Sequence, residues 1–275
     1  MAVISVQQLL EAGAHFGHQT QKWNPKMKPY IYTVRNNIHI MNLEQTTVLI
    51  DRAYEFLRKT VAKGKNVLFV GTKKQAEDAI KTEAERCGSF YVNSRWLGGT
   101  LTNFNTIRAM VDRMNKLFQM EKVGEFSYLS KRETSKLMDE RDKLQRYLSG
   151  IADMKALPSV VVVVDTKKEK IVIKEAKKLG IPVIGVIDTN CDPDDADYVI
   201  PVNDDASKSV QLVLMALADA VIEGKEGVEI RKSGKEDDAL SMEAVIQSKQ
   251  VFEDKEMQKD KKEKVMNDDT DNTEA

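Results

Sequence analysis

Acidic residues are missing from two stretches of a chain that is otherwise rich in them. None of the 43 Asp and Glu residues lies between Ala12 and Leu43, or between Arg86 and Val111. Cysteine is scarce as well. Cys87 and Cys191 lie far apart with no paired spacing, which excludes a disulfide framework and a zinc ribbon and predicts reduced, inert thiols. The only three histidines, His15, His18 and His39, fall near the start, with no Ser/His/Asp set for nucleophilic catalysis. No apolar run approaches the roughly 18 residues that span a bilayer. The opening Met1-Ala2-Val3-Ile4-Ser5 lacks the basic region and apolar core of a signal peptide, so a soluble cytoplasmic protein without a membrane partner is expected.

The charge that is present is unevenly divided. The net −1 of the 275 residues hides a tail, 224–275, with 10 basic and 15 acidic residues, so the preceding part is mildly basic. The first acid-free window holds His15, His18, Lys22, Trp23, Lys26, Lys28, Tyr30, Tyr32 and Arg35. The second holds Arg86, Phe90, Tyr91, Arg95, Trp96, Phe104 and Arg108. A phosphate backbone attracts such cations and repels carboxylates, while aromatic rings and guanidinium planes stack on unpaired bases. The competing reading of Phe90 and Trp96 is that they are core residues.

Hydrophobic patterning predicts one α/β domain. Ser5 caps a short helix stopped at Gly13, a loop broken by Pro25 and Pro29 follows, and Tyr30–Val34 and Ile38–Met41 form a hairpin about Asn36-Asn37. Residues Glu44–Lys63 have helical spacing through Val48, Leu49, Ala53, Phe56, Leu57 and Val61. Strands Val67–Val70, Phe90–Val92, Val160–Val164, Val183–Ile187 and Tyr198–Ile200 then alternate with helices Lys74–Cys87, Glu169–Leu179 and Ala206–Ile222. Unbroken β-branched runs indicate strands covered on both faces, hence a parallel sheet flanked by helices of Rossmann or flavodoxin type. Residues 105–150 carry no strand. The narrow seams Ile107, Val111, Met114, Phe118 and Leu137, Leu144, Leu148, Ile151 predict an inserted antiparallel coiled-coil helical hairpin that protrudes. After Gly227 the charge-rich string is expected to be largely disordered, with transient helix at Met242–Met257.

Several motifs admit more than one chemistry. Val70-Gly71-Thr72-Lys73-Lys74-Gln75 joins a strand to a helix, where backbone amides attract phosphate, yet it lacks the Walker spacing; an RNA phosphate or plain capping by Thr72 fits better. Asp165 and Asp188 each end a strand and are suited to Mg²⁺-dependent phosphoryl transfer, or merely to shaping turns. His15 and His18 offer two imidazoles without a local carboxylate or thiol, so no metal is expected. In Arg95-Trp96-Leu97-Gly98-Gly99-Thr100-Leu101-Thr102-Asn103 the paired glycines point to close backbone approach or positive φ, as in a tight turn or a phosphate nest.

Taken together, this last run, residues Leu10–Thr20 with Trp23-Asn24-Pro25-Lys26-Met27, and Leu68–Gln75 resemble the bacterial small-subunit ribosomal protein two family. Val186-Ile187-Asp188-Thr189-Asn190-Cys191-Asp192-Pro193 and Ile200–Ala206 extend the resemblance, which covers about 1–227. It implies a structural, non-catalytic protein of the 30S subunit that binds 16S ribosomal RNA between head and body, without cofactor. It also implies docking of the large messenger-binding small-subunit protein one. The RNA-facing residues expected on chemistry and resemblance together are His15, His18, Lys22, Trp23, Lys26, Lys28, Arg35, Lys73, Lys74, Arg95, Trp96, Gly98, Gly99, Thr100, Thr102, Asn103, Arg108 and Arg113, with Lys116, Lys131 and Arg132 on the helical insertion. Two departures stand out. Gln21-Lys22 replaces the family's usual arginine pair, losing a bidentate phosphate fork, and Asn37 stands where glycine is common.

Overall fold

The computed structural model describes residues 3–227. The tail from 228 onward, including the helix expected at Met242–Met257, lies outside the described residues. Five strands form one parallel sheet: β4 (Val67–Val70), β5 (Phe90–Val92), β6 (Val160–Val164), β7 (Val183–Ile187) and β8 (Tyr198–Pro201), in the order β5-β4-β6-β7-β8. The in-register pairs Leu68↔Val161, Val162↔Ile184 and Val186↔Ile200 run through its middle. Every residue of β4, β6 and β7 is buried, as unbroken β-branched runs require of strands covered on both faces.

Side-chain alternation divides those strands between two cores. Phe69, Val162, Val164, Ile184 and Val186 face α2 (Leu43–Val61), α3 (Lys74–Arg86) and the helix over 207–227. Leu68, Val70, Val161, Val163 and Val183 face α4 (Phe104–Val123) and α6 (Lys170–Leu179). The short helix α1 (Val6–Glu11), capped by Ser5, packs on α2, whose buried seam is Leu43, Thr46, Thr47, Ile50, Ala53, Tyr54, Leu57 and Val61. Val48, expected inside, is exposed, while Thr46 is buried with its Oγ1 donating to the Pro201 carbonyl, 2.8 Å away.

A second, antiparallel sheet occupies the first acid-free window: β1 (Phe16–Gln19), β2 (Ile31–Arg35) and β3 (Ile38–Met41), in the order β1-β3-β2. The hairpin turns at Asn36 and Asn37, both with positive φ, as type I′ geometry demands. Strand β1 was expected as loop. It is held by pairing with distant β3 and by contact with the loop after β7, signals no local pattern carries.

Between β5 and β6 the chain forms α4 and α5 (Lys131–Leu148), joined through a 3₁₀ turn at Glu125–Tyr128. Arg113 forks onto Glu140 with both nitrogens 2.9 Å from oxygen, and Arg141 pairs with Glu121, so the helices lie side by side. Burial is concentrated at one end. Ile107, Val111, Met114, Leu148 and Ile151 join the sheet's core, whereas Leu137 and Leu144 are half-buried. Leu117, rather than the expected Phe118, is buried; the Phe118 ring instead lies under the Arg141 guanidinium. No helix among the described residues is long and apolar enough to cross a membrane.

Candidate nucleic-acid interface

In a parallel sheet all strands deliver their carboxyl ends to one edge, and both acid-free windows meet that edge. The first rests on the loop after β7: Asn24 N–H donates to the Thr189 carbonyl (2.8 Å) and His18 N–H to Thr189 Oγ1 (2.9 Å). Gly17 permits the approach, since a Cβ there would lie 2.7 Å from Thr189 Cγ2 and 3.1 Å from the His39 carbonyl oxygen. Met27, Ile187 and Cys191 form a small core beneath. On the outer side Lys22, Lys28 and Arg35 are exposed, and none has an ion-pair partner among the described residues.

Lys26 differs from its neighbours. Its ammonium is 2.8 Å from Asp192 and 2.6 Å from Asp194, hydrogen bonds that push its pKa further up. Trp23 is half-buried, with its ring centroid 4.9 Å from that of buried His39. His15 packs on Phe16, and desolvation pulls the pKa of His15 down.

The second window leaves β5 as the 93–103 loop, and it is wrapped around one carboxylate. Glu175 of α6 accepts from Trp96 Nε1 (3.1 Å), Gly99 N–H (2.8 Å), Leu101 N–H (2.9 Å), Thr102 N–H (3.1 Å) and Thr102 Oγ1 (3.3 Å). Burial pushes this carboxyl's pKa up, but these donors outweigh it, and the net shift is downward. The loop is therefore the nest its glycines suggested, with an internal anion in it. Gly99 takes φ +91° to aim its amide there. Trp96 and Thr100 are buried, and Thr100 donates to the Leu97 carbonyl. Arg95, Gly98, Thr102 and Asn103 remain exposed, and Arg95 has no ion pair among the described residues.

The loop after β4 repeats the device. Glu169, also buried, takes the Thr72 N–H (3.0 Å) and hydroxyl. Lys73 turns inward to Asp204 (2.8 Å), Asp205 and, at 4.0 Å, Asp165. Its side chain is 14% exposed, while Lys74 is exposed. At the edge of a flavodoxin-like sheet, the amide and hydroxyl available to a nucleotide phosphate are thus taken by the chain's own carboxylate. Arg108 and Arg113 are likewise engaged: Arg108 donates to the Ala152 (2.8 Å) and Met154 (3.2 Å) carbonyls, and Arg113 pairs with Glu140.

His18 was expected to lack carboxylate neighbours, but the fold supplies three. Its Nδ1 is 2.9 Å from Asp188 and its Nε2 3.5 Å from Asp205, and Asp204 lies in the same cluster. The hydrogen bond to Asp188 raises the imidazole pKa against its partial burial. Asp204, wholly buried near Asp188, is pushed up to about 7 by burial first and that charge second. One imidazole and three carboxylates within 4.8 Å form a donor set suited to a divalent cation. Asp165 belongs to a second grouping with Cys191 and Asp204, so the two strand-end aspartates do not form one site. Cys87 and Cys191 are both buried and free, and burial pushes the Cys191 thiol up to about 12.

Sequence reasoning missed Glu169, Glu175, Asp204 and Asp205 as organisers of this edge. The family model described as "Ribosomal protein S2" matches residues 9–224 of the chain.

Proposed function

Because the chain belongs to the ribosomal protein S2 family, and is thereby a structural protein of the small ribosomal subunit acting in translation, we propose that the outer surface of its two acid-free windows, with the loop after β4, binds 16S ribosomal RNA. The observation that carries this reading is the set of exposed cations there, Lys22, Lys28, Arg35, Lys74 and Arg95, each without an ion-pair partner among the described residues. Free cations release counterions when they meet phosphate, whereas a lysine already bound by two carboxylates has little to gain. Lys26, Lys73, Arg108 and Arg113 therefore shape the surface, and Trp96, Gly99 and Thr100 hold the loop that presents Arg95. His15, His18 and Trp23 keep the first window seated on the sheet, with Gly98, Thr102 and Asn103 lining the approach to the backbone.

Residues 1–227 are the RNA-binding domain in this reading, with 105–150 as a coiled-coil insertion and 228–275 as a separate charged tail. The protein works in the cytoplasm, in the 30S particle between head and body, where it helps dock the large messenger-binding protein one. Family membership favours a structural role over catalysis.

Arg95→Glu and Lys28→Glu should each weaken binding to in vitro transcribed 16S RNA several-fold near 0.1 M salt and reduce the slope of log K against log salt by about one. Lys26→Ala should change both far less. Filter binding across a salt series checks this; equal effects of all three substitutions would remove the distinction between free and paired cations.

A further inference from the structure

Behind the first window, β1 and the loops after β7 and β8 bring four side chains to one point. His18, Asp188, Asp204 and Asp205 each offer a ligand atom, and these atoms lie within 4.8 Å of one another. Exposed carboxylates often gather without a cation, but Asp188 and Asp204 are wholly buried. Their bonds show which oxygens are free. Asp188 Oδ1 accepts from the Thr189 amide and hydroxyl, and Oδ2 turns to His18 Nδ1, 2.9 Å away. Asp204 Oδ1 accepts from the Lys73 ammonium. Its Oδ2 is buried with no hydrogen-bond partner among the described residues, whereas a buried carboxylate oxygen ordinarily has one.

Charge leads to the same place. Asp165, Asp188, Asp204 and Asp205 lie together with one ammonium, Lys73; four carboxylates against that ammonium and a neutral imidazole leave a net −3. Buried charge of one sign is costly unless a cation answers it. A proton on His18 supplies one positive charge and still leaves Asp204 Oδ2 without a partner. His18 is also placed as metal-bound imidazoles are. Nδ1 lies beside Asp188, while Nε2 lies 3.1 Å from the Asn190 amide and 3.5 Å from Asp205, so one nitrogen can take an ion while a polar neighbour holds the other. Bonds of about 2.0 to 2.2 Å set the donors of one ion at most about 4.4 Å apart, so the cluster closes on it by small side-chain shifts.

We propose that His18, Asp188, Asp204 and Asp205 bind a divalent transition-metal ion, zinc, which fastens the β1 end of the first window to the loops after β7 and β8. The imidazole favours zinc over Mg²⁺ or Ca²⁺, which prefer oxygen donors alone. The neighbouring grouping of Asp165, Cys191 and Asp204 is less suited, because the Lys73 ammonium already stands 4.0 Å from Asp165. Zinc binding is a property of the chain alone and does not depend on whether RNA binds.

The test uses the full-length chain, stripped with EDTA and titrated by calorimetry with ZnCl₂ and, separately, MgCl₂. A single zinc should bind far more tightly than Mg²⁺ and raise the urea midpoint, and EDTA should reverse that rise. Asp188→Asn keeps an oxygen for Thr189 and should weaken zinc binding at least about tenfold, as should His18→Gln and Asp205→Asn. Asp165→Asn should bind as wild type. Circular dichroism checks that each variant is folded; Asp205, with its side chain 54% exposed, tests the site even where a buried substitution prevents folding. X-ray absorption at the zinc edge should show nitrogen and oxygen at about 2.0 to 2.1 Å and no sulfur. Sulfur at about 2.3 Å would move the ion to Cys191 and overturn the assignment. Unchanged zinc affinity in folded Asp205→Asn, or Mg²⁺ binding as tight as that of zinc, would overturn it as well.

Discussion

A Glu175→Ala chain should lose about 3 to 5 kcal/mol of folding stability, read as a lowered urea midpoint at unchanged m-value. The carboxylate is 7% exposed and accepts from three backbone amides, the Trp96 indole and the Thr102 hydroxyl. Removing it leaves several donors unsatisfied, at about 1 to 3 kcal/mol for each that stays buried. Thr102 can turn to water, so the sum is not simply additive. Glu175→Gln preserves the shape but replaces one acceptor oxygen with a donor, and should fall between. The pH dependence has a definite sign. The folded carboxyl titrates below its ordinary range, so its contribution is complete above about pH 4.3 and is lost as pH falls through the folded value. The stability gap between wild type and Glu175→Gln should therefore shrink on acidification below about pH 4. A Glu175→Ala variant as stable as wild type would show that the 93–103 loop is held by its apolar contacts alone.

Lys73→Ala should be the next most damaging change, at about 3 kcal/mol. Its ammonium answers Asp204, which is wholly buried, along with Asp205 and the nearly buried Asp165. Without the ammonium the Asp204 carboxyl, already pushed up to about 7, is driven further up and must take a proton to stay buried, so the loss grows as pH rises above that value. The burial and hydrogen bonds act in opposite directions on Lys73; the bonds to Asp204 and Asp205 prevail and the ammonium stays charged. Combining Lys73→Ala with Asp204→Asn should recover much of the loss, because the amide needs no counter-charge. A double variant no more stable than Lys73→Ala would mean that packing of the lysine stem, rather than charge, dominates.

These two sites also mark where the sequence stops being legible. The strands of the main sheet can be read residue by residue, because a buried parallel strand writes itself as an unbroken apolar run: Val160–Val164 and Val183–Ile187 match the observed elements. The acid-free windows are equally legible as composition, and the fold brings both to the carboxyl edge of the sheet. Glu169 and Glu175 are not. Glu175 lies in a lysine-rich helix and Glu169 immediately before it, and which of these charges turns inward depends on loops 76 and 97 residues away in the chain. The same holds for His18, whose three carboxylate neighbours come from the loops after β7 and β8. Arg113 and Lys73 looked like free cations in the sequence for the converse reason: their partners Glu140 and Asp204 are adjacent only after folding.

The most direct test of the central claim is sedimentation of a folded Lys28→Glu/Arg95→Glu chain through a sucrose gradient with small ribosomal subunits depleted of this protein. The account predicts that the wild-type chain migrates with the particles and that the double variant stays near the top of the gradient at physiological salt. Wild-type comigration of the folded double variant would contradict it.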